Sequence, residues 1–129
     1  MEMIILRGLP SSGKTTFAKK LTDYVVCESD DYFYKDGNYE FDMKKLKFAH
    51  MFCYNKARKA IQDKKNVCIS NTNIQESDFK KYIDLAERNN YTVTSIIVEN
   101  RHGNKNDHNV PKDTIENMRK NFKVKLWTY

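Results

Sequence analysis

Gly8-Leu9-Pro10-Ser11-Ser12-Gly13-Lys14-Thr15 is the stretch on which the fold turns. Its spacing, Gly-x-x-x-x-Gly-Lys-Thr, is that of a loop that cradles phosphates. Gly8 and Gly13 permit positive φ and close backbone approach. The N–H groups of the loop, from Ser11 and Ser12 through Thr16, and the start of the next helix then point at phosphate oxygens. Lys14 supplies a point charge to the β- and γ-phosphates, and the Thr15 hydroxyl is a ligand for Mg2+. The surroundings match the motif. Met3-Ile4-Ile5-Leu6 reads as a buried parallel strand ahead of it, and Phe17, Ala18 and Leu21 predict a helix from about Lys14 to Thr22 behind it. The plainer alternative is a glycine-rich turn into a structural helix. The motif in this context predicts a nucleoside triphosphate site, with ATP and Mg2+ as its cofactors.

Outward from the loop, apolar runs and helical periodicities alternate. Tyr24-Val25-Val26-Cys27 predicts a second strand that delivers Glu28-Ser29-Asp30-Asp31 at its C-terminal end. Asp36-Gly37-Asn38 marks a turn among aromatic residues. From Asp42 as a cap, Leu46, Ala49, Cys53, Ala57 and Ala60/Ile61 recur at helical spacing and end near Lys64-Lys65-Asn66, giving the longest helix. Val67-Cys68-Ile69-Ser70 predicts a third strand, and Asn73 with Glu76 resembles a capping box opening a helix through Phe79, Tyr82/Ile83 and Ala86. Tyr91 to Glu99 predicts a fourth strand. Residues 100–110 read as a loop or lid, Pro111 starts a last helix through Ile115, Met118 and Phe122, and Lys123 to Tyr129 alternates as a fifth strand would. Such alternation means α/β: a three-layer P-loop NTPase fold, its mostly parallel sheet of four or five strands carrying helices on both faces. The polar clusters after the first three strands then converge, because ligands lie beyond the carboxyl ends of such strands.

Composition bounds the rest. The 129 residues make one domain, 1–129. No apolar run reaches the roughly 18 residues of a membrane span, so no membrane partner is expected. Cys27, Cys53 and Cys68 lack Cys-x-x-Cys spacing and read as buried thiols in a reducing compartment, the cytoplasm (a host's, if the source is viral). The net charge of +6 suggests a negatively charged partner, although much of the lysine falls on helix faces where it also serves solubility.

In-line phosphoryl transfer needs a carboxylate that takes the proton of an acceptor hydroxyl. Asp30 is the candidate base, with Asp31 orienting neighbours or helping hold the metal. An ordinary turn or cap competes with both. The chain resembles the small P-loop kinases typified by phage polynucleotide 5′-kinase and animal polynucleotide-kinase-like proteins. The resemblance rests on Gly8–Thr16, Ser29-Asp30-Asp31-Tyr32, Ala49-His50, Ser70-Asn71-Thr72-Asn73 and His108-Asn109-Val110-Pro111, in the family's order. It implies ATP- and Mg2+-dependent transfer to a hydroxyl, in well-known members the 5′-hydroxyl of DNA or RNA, with Asp30 as base.

Two positions depart from that family. Phe33 stands where the phage kinase has an arginine, and Ser70-Asn71 stands where members carry an aspartate. Arg101 or Lys105 is left to supply the lid charge, with Arg101 preferred. Tyr32, His50 and Asn73 are candidates for the acceptor, against packing, a helix-interface histidine and a helix cap respectively. His102, Asp107 and His108 do not make a convincing metal site. The acceptor is then a polynucleotide or a small hydroxyl-bearing molecule. Alternatives are a nucleoside, nucleotide or metabolite kinase, and an ATP-binding module with little turnover.

Overall fold

The computed structural model describes residues 1–101, 103, 105 and 108–127. Strand β1 (Glu2–Arg7) lies between β5 (Asn66–Ser70) and β6 (Thr92–Ile97), with β2 (Tyr24–Cys27) outside β5. All three pairings are parallel, and Cys27 lies level with Ile69 and Leu6 with Ser70. Parallel order requires crossovers. Helix α1 (Lys14–Ala18) serves the first, α2 (Leu46–Gln62) the second and α3 (Glu76–Arg88) the third. The sheet has four strands. A two-residue hairpin, β3 (Tyr34–Lys35) and β4 (Asn38–Tyr39), stands apart from it around Gly37, where the aromatic turn is expected.

Side chains alternate across β1, so Met3 and Ile5 face one layer and Ile4 and Leu6 the other. The first layer is the larger. Ala49, Cys53, Ala57 and Ala60 form a small-residue stripe down α2, which lets its backbone come close to the sheet. Phe79, Tyr82, Leu85 and Ala86 of α3 fill the same layer beside Val67 and Ile69. The opposite layer is α1, with Ala18, Phe17 and Leu21 over Ile4, Leu6 and Cys68. The three cysteines are buried and unpaired, and burial pushes the thiols of Cys27 and Cys68 up to about 12. Among the described residues no helix is long and apolar enough to cross a membrane.

Several boundaries differ from the sequence reading. Helix α1 stops at Ala18, and the chain turns through Lys19 and Lys20 into Leu21. Leu46 opens α2 but remains exposed. The capping box of α3 lies two residues later than expected. Gln75 is the N-cap and its N–H donates to Asp78 Oδ2 at 3.2 Å. Asn73 has positive φ and is buried, its Nδ2 donating to Leu6 O at 2.8 Å. That bond ties the chain after β5 to the end of β1. The fourth strand is shorter than expected, Thr92–Ile97. Residues 123–127 form no strand; the backbone of Lys123 is taken at both groups, its O accepting from the Arg7 guanidinium and its N donating to Ile74 O. Thr128 and Tyr129 lie outside the described residues. Helix α4 (Lys112–Asn121) follows Pro111 as expected.

Candidate active site

The phosphate loop joins β1 to α1, and its shape is fixed by close contacts. Ser11 and Gly13 have φ of 62° and 107°. Gly8 is there for space, since a Cβ on it would stand 2.5 Å from both Ser12 Oγ and Val98 O. Gly8 N donates to Thr72 O at 3.0 Å, fastening the loop to the chain leaving β5. Ser12 is 1% exposed and its Oγ has no hydrogen-bond partner among the described residues. A buried hydroxyl without a partner is costly, and an anion in the loop would supply one. Lys14 Nζ turns back on the loop, donating to Gly8 O and Leu9 O at 2.9 Å each. Burial lowers its pKa to about 8, against the opposing pull of Glu28 and Asp30. An ammonium so held gains from a phosphate. The loop fits a triphosphate, and the Thr15 hydroxyl, at the start of α1, fits the ligand of its metal.

The second strand ends at the same edge. Glu28 leads into a 3₁₀ turn, Ser29–Phe33, that carries Asp30 and Asp31. Asn71, at the end of the adjacent strand, accepts from Ser29 N through Oδ1 at 2.9 Å and reaches Cys53 Sγ through Nδ2. His50 Nδ1 meets Ser29 Oγ at 3.2 Å, and burial holds its pKa below the usual histidine value. Asn71 and His50 thus set the turn that aims Asp30. Asp30 is half-buried under two side chains. Tyr39 OH donates to Oδ1 at 3.2 Å, and His108 Nδ1 stands 3.6 Å from Oδ2. The Tyr39 and His108 rings stack at 4.2 Å. Burial and Asp30 hold the Tyr39 phenol above its usual pKa, so it stays a donor. Asp31 is exposed, and its carboxyl is raised mainly by burial, with Lys56 opposing.

The structure therefore brings Lys14, Thr15, Asp30, Tyr39 and His108 to one crevice. Tyr32 is half-buried, its ring against Phe33 and Phe52. Phe33 is 2% exposed and meets Tyr39 and Phe41 edge-on, so it pins the hairpin. Asn73 spends its amide inside the fold. Arg101 lies past β6, its side chain 82% exposed and paired with Glu99 at 3.1 Å. His102 and Asp107 lie outside the described residues, as do 104 and 106 of the lid.

One residue escaped the sequence reading of the site. Glu28 accepts from the Thr15 hydroxyl through Oε1 at 3.0 Å; it was in view only as part of an acidic run. Tyr39 is legible only as one of the aromatics around the turn and His108 only in the motif before Pro111; their stacking over Asp30 joins residues so distant in sequence that no local pattern shows it.

Comparison with known proteins gives three findings. A family model described as an AAA domain matches residues 3–124. Human NEDD4-binding protein 2 is 40% identical over 96 residues, which is 70% of this chain and 5% of that protein, so the chain spans a small part of that relative. Among solved structures, one of a Pnkp1/Rnl/Hen1 complex matches 99% of this chain and 41% of the other at TM-score 0.62 and 18% identity. A gluconokinase from Sinorhizobium meliloti matches 95% of this chain and 75% of its own at TM-score 0.56 and 13% identity. At those identities both establish the fold alone.

Proposed function

Because this chain belongs to the AAA domain family, with the fold of P-loop kinases, we propose that it transfers the γ-phosphoryl group of ATP, with Mg2+, to a hydroxyl, and that the acceptor is a polynucleotide 5′-hydroxyl. The observation that carries this reading is electrostatic. Lys14 opens α1 after β1 and Asp30 sits in the turn after β2, yet the Asp30 charge reaches the Lys14 ammonium. That is the juxtaposition an in-line transfer needs, with the donor phosphate on one side and the proton acceptor on the other.

In this mechanism the loop amides and Lys14 bind the triphosphate, and the Thr15 hydroxyl holds the metal. Bound Mg2+ would supply positive charge that neutralises the charge developing on the phosphates. The acceptor hydroxyl displaces Tyr39 or His108 from Asp30. Its oxygen bonds to the γ-phosphorus as its proton passes to Asp30, the bond to the β–γ bridging oxygen breaks, and ADP leaves. Arg101 would leave Glu99 to meet charge on the transferring group. Asp31 and Tyr32 flank the acceptor side, and His50 works through the turn it holds. A polymeric acceptor is supported by the aromatic hairpin beside Asp30 and by the exposed rings of Phe48 and Phe52 on α2, amid Lys44, Lys45, Lys47 and Lys56. Bases stack on such rings, and lysines meet phosphates. The resemblance of Ser29-Asp30-Asp31-Tyr32 and the other motifs to those of polynucleotide 5′-kinases supports the same acceptor.

The test is γ-labelled ATP offered to 5′-hydroxyl DNA, 5′-hydroxyl RNA, nucleosides and nucleoside monophosphates. Label is expected on the oligonucleotides. Asp30→Asn should lower turnover by about 10²–10⁴-fold, the usual worth of a general base, with ATP binding retained. Labelling of nucleosides as readily as oligonucleotides would replace the polymer by a small acceptor. No transfer to any hydroxyl would leave a nucleotide-binding module.

A further inference from the structure

The metal partner of Thr15 has to be sought among carboxylates, since a P-loop Ser or Thr holds Mg2+ together with an acidic residue from a neighbouring strand. Mg2+ takes one or two carboxylates, phosphate oxygens and water. Asp31, four residues past the end of β2, is an exposed carboxylate. The end of β5, the strand beside β1, carries Ser70 and Asn71 and so offers no charge. Asn71 spends its carbonyl on Ser29 N.

Glu28 is placed differently. One step beyond the Cys27–Ile69 pair, it stands at the carboxyl end of β2 beside Ser70. Its longer side chain crosses toward the loop and accepts from Thr15 Oγ1 at 3.0 Å. It is half-buried. A carboxylate in that condition gains from a cation. A second feature points into the same spot. Ser70 is 5% exposed, and its Oγ lies close to the Glu28 carboxyl without a hydrogen bond of good geometry. A buried hydroxyl left open beside a carboxylate is suited to a water or ion between them.

We infer that Glu28 is the carboxylate of the metal site, acting with the Thr15 hydroxyl and assisted by Ser70, in place of an acid at the end of β5. The inference rests on the nucleotide site proposed above, but its readout is metal binding and does not require phosphoryl transfer. In the free protein the Thr15 hydroxyl donates to Glu28. With a metal bound, the hydroxyl oxygen would offer it a lone pair and the Glu28 carboxylate would supply the opposite charge. Asp31 is left to the acceptor side of the turn.

The experiment measures binding of a fluorescent ATP analogue at increasing Mg2+, supported by electron paramagnetic resonance of Mn2+ in the same complex. Glu28→Gln keeps the shape and removes the charge. Its apparent Mg2+ affinity in the ternary complex should fall about tenfold or more, the usual consequence of losing a group that holds a metal or its ligands. Binding of the analogue without metal should be unchanged or tighter, because a negative charge beside the triphosphate has gone. Glu28→Asp, which keeps the charge but shortens the reach, should lie between. Ser70→Asp placed in the Glu28→Gln protein should restore Mg2+ affinity in part, since it returns a carboxylate to the adjoining strand end. Unchanged Mg2+ affinity and an unchanged Mn2+ spectrum in Glu28→Gln overturn the inference. Equal loss of binding with and without metal also overturns it, showing that Glu28 only braces the loop. Loss of metal affinity in a protein that phosphorylates no hydroxyl upholds the metal site while the kinase reading fails.

Discussion

Replacing Gly8 by alanine tests the geometry on which nucleotide binding depends. The new methyl would stand 2.5 Å from Val98 O and 2.5 Å from Ser12 Oγ. An ordinary contact is about 3.5 Å, so roughly 1 Å must be found. Neither neighbour yields easily. Val98 is held to β1 by its N–H, 2.7 Å from Arg7 O, and Ser12 is enclosed. Relief comes only by parting the ends of β1 and β6 or by moving the loop. Overpacking of this kind costs about 1–3 kcal/mol, which for a domain of this size lowers Tm by roughly 4–12 °C. A shift of about 1 Å in a positioned group costs up to roughly 10²-fold, so ATP should bind at least about tenfold more weakly. Thermal melts with and without nucleotide, and equilibrium binding of a fluorescent ATP analogue, give both quantities. Gly37→Ala is the control. Gly37 has φ of +82° with nothing within 4 Å, so alanine there should cost only the left-handed backbone penalty of about 1–2 kcal/mol and leave ATP affinity intact. A Gly8→Ala protein that melts and binds like the parent would refute the close approach, and with it the loop geometry.

The other predictions concern charge. Lys14 is lowered to about 8, and only its charged form attracts phosphate. The charged fraction in the free protein falls as pH rises through that value, so ATP affinity should weaken by about fivefold from pH 8 to pH 9; a flat profile in Lys14→Ala beside a sloping parent confirms the source, and a flat parent excludes it. Arg101→Ala should lower kcat more than ATP affinity, because a contact made as charge develops acts on the transition state; equal losses in steady-state kinetics and equilibrium binding would make it a ground-state contact. Arg7 is 5% exposed and donates to the carbonyls of Asn73, Ile74 and Lys123 between the rings of Phe79 and Phe122. Arg7→Met strands those carbonyls and should cost roughly 2–4 kcal/mol, read by urea melts at neutral pH.

How much the sequence disclosed varied with how local the cause was. The strands and the two long helices were legible because each carries its own period: continuous apolar runs for strands buried on both faces, and Ala49, Cys53 and Ala57 at one-turn intervals for α2. The phosphate loop was legible because its demands on glycine, lysine and threonine fall within eight consecutive residues. Asn73 was misread because its short polar side chain meets the local pattern of a cap, while its amide goes to Leu6 O across the sheet. The tail after Phe122 alternates like a strand, but the backbone of Lys123 is taken by Arg7 and Ile74, partners that no window of sequence joins. Glu28 went unread for a related reason. Its meaning depends on which strand lies beside β2, and only the sheet order supplies that.

On the acceptor side, one side chain has changed its task. Phe33 stands where the phage kinase that the sequence resembles has an arginine, and here it is sealed between Tyr39 and Phe41. A guanidinium could not take that place without stranding its charge among rings. The substitution therefore removes a cation from the acceptor side and in exchange anchors the hairpin that brings Tyr39 onto Asp30. The crevice is left with Lys14 against Glu28, Asp30 and Asp31, locally acidic inside a chain of net charge +6. A bare triphosphate entering it meets more repulsion than attraction, whereas one that carries a divalent cation meets the carboxylates with the opposite sign. Nucleotide binding by this chain should depend more steeply on Mg2+ than an arginine-rich crevice would require, and lysines on the outer helix should draw in a polyanionic acceptor that the crevice itself does not attract.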